Sequence, residues 1–247
     1  LVSEDCWQAT PGKVVDLVRN LGIAAGGTVM EDCRVLEACR EGKYTSVLVQ
    51  THDKKYVEYR TEHFVNALGS GAGKLCDSMG IDAGLYPVRH QAFITRRLPM
   101  LGKHGTNLDM LIDRQDYKGF SAVYGQQIAY TGQIIGCASP KLDAMRIDKN
   151  LKVNTKAFLE IVSEMFSEWI PDLAGVGIQA VWAGYYTEPR YIVDPELGLF
   201  VGMRGHGFML SQYIARMYVD KLLGRPVPEY FEKLKLNGPG LSEKAFK

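Results

Sequence analysis

The chain has 247 residues, 46% of them apolar and 23% charged, a length and balance that can bury a core and that exclude a disordered segment. Its 29 Lys and Arg nearly cancel 28 Asp and Glu, so there is no electrostatic footprint for phosphate backbones or anionic membranes, and no nucleic-acid partner is expected. The five cysteines, Cys6, Cys33, Cys39, Cys76 and Cys137, are odd in number and lack a CxxC pair, so they fit neither a disulfide framework nor a zinc site. They read as reduced thiols of a cytoplasmic protein, or of the mitochondrial matrix in a eukaryote, with no metal expected.

No apolar run approaches the roughly 20 residues of a membrane span, and no charged segment followed by an apolar stretch opens the chain. It starts on Leu1 and runs at once into a helix-like pattern, from which an upstream segment is expected. Thr10, Pro11 and Gly12 precede Val14, Val15, Leu17, Val18 and Leu21, predicting a short amphipathic helix with a capping residue and a first-turn proline, closed by Gly22. A strand-like stretch over 27–37, then Thr45–Gln50 and Tyr56–Tyr59, separated by EGK and THDKK, predict a small antiparallel meander. His63–Val65 reads as a further short strand. NALGSGAG follows, and the chain turns helical at Leu75–Met79, the order of a ligand-facing loop.

From Leu85 to Pro140 apolar and polar residues alternate between Gly and Pro breaks, predicting a broad antiparallel sheet. His90 and Gln91 are neighbours on one strand, so one of them faces the ligand side and the other does not. Arg114, Tyr117 and Tyr124 are further candidates to line that side; His52, His63 and His104 sit in polar turns and receive no role. Residues 155–169 place Phe158, Ile161, Val162, Met165 and Trp169 on one helical face. A strand ending in VWAGYY, a polar link, the short strand LGLFVG and a long helix complete an α+β fold.

The most informative segment is GLFVGMRGHGFML at Gly198–Leu210. A short strand delivers the chain into Gly202, Gly205 and Gly207, and a helix starts directly afterwards. Glycines there let backbone N–H groups approach a ligand closely, and the helix start adds partial positive charge. Such a device suits an anion or a developing anion, including the negative charge a flavin acquires around N1 and the C2 oxygen on accepting hydride.

VWAG at Val181–Gly184, GHGFML some twenty residues later and a helix ending in LLG together resemble the carboxy-terminal pattern of the FAD-dependent amine and amino-acid oxidoreductases, the glycine oxidase, sarcosine oxidase and D-amino-acid dehydrogenase group. NALGSGAGKL at Asn66–Leu75 is similar to the family segment where the backbone passes the FAD diphosphate and ribose, which implies Asn66, Ala67 and Gly69 as cofactor contacts. CRVLEA resembles the position beside the adenine and implies Val35. The glycine turn contributes Gly202, Arg204, Gly205, His206, Gly207, Phe208 and Met209. PVRHQAFIT looks like the strand entering the substrate sheet, and GPGLSEKAF like the closing tail.

The resemblance implies an FAD-binding part over 1–84 and 198–247 and a substrate domain with an antiparallel sheet over 85–197. It implies noncovalent FAD and oxidation of a secondary amine or amino acid by hydride transfer to the flavin. His206 either reaches the flavin edge or substrate or holds the turn by a hydrogen bond. Tyr185 and Tyr186 stand where several relatives present an arginine to the substrate carboxylate; Arg190 and Arg204 are the nearest guanidinium candidates for that task. Trp182 is expected to pack between domains.

The family's amino-terminal strand, GxGxxG and helix has no counterpart here. GIAAGG at Gly22–Gly27 follows a helix and precedes a strand, the reverse order. The missing unit is expected to have been removed, to be carried by a second chain, or to be lost in a non-catalytic, flavoprotein-like assembly or binding factor, which is the alternative to an enzyme.

Overall fold

The computed structural model describes residues 9–102, 108–113, 120–128, 131–140 and 155–240. Helix α1 spans Pro11–Ala24, with extended Thr10 before it and proline in its first turn, where a missing N–H costs nothing. It runs past Gly22, the expected stop, and closes with Gly26 at φ 93°. None of its residues is buried, and Leu17, Val18 and Leu21 are all at least half exposed.

Strands β1 (Arg34–Glu41), β2 (Tyr44–Gln50) and β3 (Tyr56–Thr61) form the expected meander. The expected strand over 27–37 is corrected at its start: β2 ends at Gln50, the partner of Arg34, so residues 27–33 have no ladder to join. His63–Val65 forms no strand either. The chain there makes a single parallel bridge, Asn66 with Leu199. A 3₁₀ turn over Gly69–Gly71 then leads into α2, Ala72–Ser78, whose Ala72, Leu75 and Cys76 are buried.

The broad sheet is confirmed as five antiparallel strands. They are β4 (Tyr86–Thr95), β5 (Leu111–Asp113), β6 (Phe120–Ile128), β7 (Gln133–Pro140) and β8 (Ile178–Glu188), in the order β5-β6-β7-β4-β8. Helix α3, Thr155–Trp169, covers one face, where Phe158, Ile161, Val162, Met165 and Phe166 pack on Phe93, Val123, Ile134 and Ala138. Each such side chain, fully buried, contributes about 1.5–3 kcal/mol. Trp169, expected on the same stripe, packs at its edge and its indole N–H donates to Asp113 Oδ2 at 3.0 Å.

Because Phe93 points to α3, the two-residue period sends His90 to the opposite face and Gln91 to the helix side. Gln91 is fully buried there. Beyond the sheet, β9 (Ile192–Asp194) and β10 (Leu199–Val201) form a hairpin, followed by α4, Gly207–Leu222. Tyr191, Val193, Ile214, Met217, Phe231 and Leu234 make the core between them. Among the described residues no helix is long and apolar enough to cross a membrane, and Cys33, Cys39, Cys76 and Cys137 are free thiols.

Candidate functional site

The glycine turn rests on the end of β8 and the residues just after it through Gly202, Arg204, Gly205 and His206. Gly202 has φ 72°, and a Cβ there would collide with the Arg190 carbonyl oxygen; only glycine fits. Arg204 has φ 48° and its Nε donates to Glu188 Oε2 at 2.5 Å. A Cβ on Gly205 would lie 2.9 Å from Tyr186 Cε2, so the backbone lies directly on that ring. His206 Nδ1 and the Tyr191 hydroxyl are 2.6 Å apart. Gly207 backs onto Met203, where a Cβ would come within 2.9 Å.

Helix α4 starts on this turn with no side-chain cap on its first N–H groups and no acidic residue in its first turn. Such a terminus presents donors and partial positive charge outward. Phe208 and Met209, in that first turn, are 44% and 69% exposed.

The open face of the five-stranded sheet carries a compact polar cluster beside the turn. Tyr186 pairs with Val88 and Gly184 with His90, so Tyr186 and His90 share a face, and their rings stack with centroids 3.8 Å apart. Tyr124 pairs with Cys137 and is hydrogen-bonded to the Cys137 thiol and to the Tyr186 hydroxyl. Burial lowers the His90 pKa to about 4, so its imidazole is neutral near neutrality. Burial likewise pushes the Tyr124, Tyr186 and Cys137 pKa values up, keeping phenols and thiol protonated. The cluster is uncharged and apolar enough to disfavour ions.

The sequence candidates therefore divide. Tyr186, Gly202, Arg204, Gly205, His206 and Gly207 come together with His90. Tyr185 pairs with Arg89 and leaves the strand on the opposite face from Tyr186. Arg190 donates to the carbonyl oxygen of Gly238 at 3.0 Å and to that of Leu236, so its guanidinium braces the chain after α4. Trp182 lies on the open face at the edge strand and is 41% exposed. Arg114, Tyr117 and His104 lie outside the described residues.

A second group surrounds Asn66, which is fully buried. Its N–H donates to Gly198 O at 2.8 Å, its carbonyl accepts from Phe200 N at 3.0 Å, and its amide donates to Ala72 O at 3.0 Å. Asn66 thus ties the segment before α2 to β10, the strand that delivers the glycine turn. Ala67 is exposed beside it, and Gly69 has φ 54°. Val35, on β1, packs against the core of the meander. Sequence reasoning missed Glu188, Tyr191 and Cys137. Alternation from Tyr186 would have pointed to Glu188 and pairing with Tyr124 to Cys137, while Tyr191 carried no signal.

A glycine turn and uncapped helix start set against the open face of an antiparallel sheet define the class: a mixed helix and sheet protein with antiparallel sheets. The chain belongs to the FAD dependent oxidoreductase (DAO) family, whose model matches residues 1–221. It is similar in fold to glycine oxidase from Geobacillus kaustophilus, with TM-score 0.64 and 18% identity over 87% of this chain and 54% of that one. It is also similar to iminodiacetate oxidase from Chelativorans sp. BNC1, with TM-score 0.67 and 14% identity over 92% and 58%. NikD, an amino acid oxidase essential for nikkomycin biosynthesis, gives TM-score 0.66 and 16% identity over 87% and 57%. The chain thus spans 54 to 58% of the length of these structures. No curated protein matches it in sequence.

Proposed function

We propose that this chain is part of an FAD-dependent enzyme that oxidises a secondary amine or amino acid by hydride transfer to noncovalently held flavin. The observation that carries this reading is the juxtaposition of the glycine turn over 202–207 with the Tyr186 and His90 pair on the sheet. In this reading residues 1–84 and 198–247 belong to the FAD-binding part and 85–197 to the substrate domain. A strand, GxGxxG and helix unit outside these 247 residues, in the same polypeptide or on a second chain, completes the dinucleotide site.

The residues fit the cofactor. The glycines let the turn pack closely on Arg190, Tyr186 and Met203, the uncapped N–H groups of α4 favour developing negative charge, and exposed Phe208 and Met209 supply apolar surface. Asn66, Ala67, Gly69 and Val35 are the proposed contacts toward its diphosphate, ribose and adenine. FAD, when bound, supplies the acceptor for the hydride.

The chain's own residues position the amine. Tyr186 and His90 form one wall, and its uncharged surroundings favour the free amine, the form whose nitrogen lone pair supports hydride loss. Tyr124, itself hydrogen-bonded to Cys137, holds the Tyr186 hydroxyl. Tyr191 orients the His206 ring at the mouth of the turn. Arg204 is committed to Glu188, so recognition of a substrate carboxylate falls to hydrogen-bond donors such as the Tyr186 phenol rather than to an arginine fork.

Anaerobic mixing of the FAD-loaded full-length protein with secondary amines and amino acids tests the reading. Loss of the oxidised-flavin absorbance with at least one of them is the expected result. Flavin that binds and is never bleached by any of them would support a non-catalytic binding factor instead.

A further inference from the structure

Arg204 is a non-glycine residue at φ 48°, inside a turn whose neighbours Gly202 and Gly207 are glycines for steric reasons. An L-residue resists this left-handed geometry because its Cβ crowds the following carbonyl, and it persists only where the surroundings over-determine it. Here the surroundings include a close ion pair with Glu188. The Arg204 and Glu188 side chains are 25% and 15% exposed, so their ion pair is partly desolvated and less screened than a surface pair. Glu188 is the last residue of β8, two beyond Tyr186, so by strand alternation the residue that anchors Arg204 and the ring that supports Gly205 project from the same face.

We infer that Glu188 is a positioning residue: its carboxylate holds Arg204 in the left-handed conformation and thereby sets the direction of the Gly205 and Gly207 N–H groups. This rests on the reading of residues 202–207 as cofactor-facing. Without the anchor, Arg204 relaxes to negative φ, which rotates the peptide into Gly205 and turns its N–H away from the ligand side. The same clamp links the substrate-sheet strand to the cofactor turn and withdraws Arg204 from the substrate.

The test compares FAD affinity, by calorimetry, of the full-length wild-type protein, Glu188→Gln, and the double variant Glu188→Gln with Arg204→Gly. Glycine adopts positive φ without an anchor, so the second substitution removes the need for the clamp. Glu188→Gln is expected to weaken FAD binding about tenfold, the equivalent of roughly 1.4 kcal/mol, and the double variant to bind more tightly than Glu188→Gln alone. Wild-type affinity in Glu188→Gln, or a double variant no tighter than the single one, overturns the inference. If the wild-type protein takes up no FAD, the cofactor reading fails, and amide hydrogen exchange over 203–207 still decides the clamp. Exchange faster in Glu188→Gln and slow again in the double variant supports it; unchanged exchange overturns it.

Discussion

At the residue scale, the site is built by small steric decisions more than by charged groups. Gly202 is fixed by the Arg190 carbonyl and Gly205 by the Tyr186 ring, while His206 is held by Tyr191. His90 is the residue whose titration reports on this arrangement. Its folded pKa is about 4, lowered by burial from 6.5, so as pH falls through that window the unfolded chain takes up the proton first and stability drops, levelling off below the folded value. Above about pH 6.5 the group contributes nothing to the pH dependence. His90→Phe keeps a ring on Tyr186 and removes the titration. Denaturant midpoints at pH 7 and pH 5 are expected to differ less in His90→Phe than in the wild type.

At the element scale, periodicity was the reliable guide where an element is buried on one side. The stripe Phe158, Ile161, Val162 and Met165 is the stripe that α3 buries, and the two-residue alternation of β4 correctly demanded that His90 and Gln91 diverge. Phe158→Ala should therefore cost about 3–5 kcal/mol, measured by chemical denaturation, because it opens a cavity between α3 and Phe93. Boundaries set by partners were not legible. Nothing in residues 27–33 announces that β2 stops at Gln50, and nothing in His63–Val65 announces that only Asn66 finds a pairing partner. The apolar stripe of α1 was legible as a helix, yet the structure leaves that stripe uncovered.

At the scale of the whole molecule, the glycine turn could be located from sequence because strand, closely spaced glycines and helix follow one another within it. Its neighbours could not. Tyr186, Glu188, Arg190 and Tyr191 are brought under it by the path of the chain from β8 into β9, and no local pattern told Arg190, which braces Leu236 and Gly238, from Arg204, which pairs with Glu188. The charge balance of the arginines is invisible until their partners are placed. What the fold achieves is a single seat, formed by residues 186–191, on which the glycine turn is set against the open face of the sheet.

The most direct test of this account is a calorimetric titration of FAD into the full-length protein and its Gly205→Ala variant, with circular dichroism to establish that both are folded. The added methyl would meet the Tyr186 ring at 2.9 Å, and that ring has little room to yield because it stacks on His90 and is hydrogen-bonded to Tyr124. The turn must therefore lift, and an affinity loss of about tenfold or more is the predicted result, a cost of at least roughly 1.4 kcal/mol. A folded Gly205→Ala protein that binds FAD as tightly as the wild type would mean that this turn does not face the cofactor.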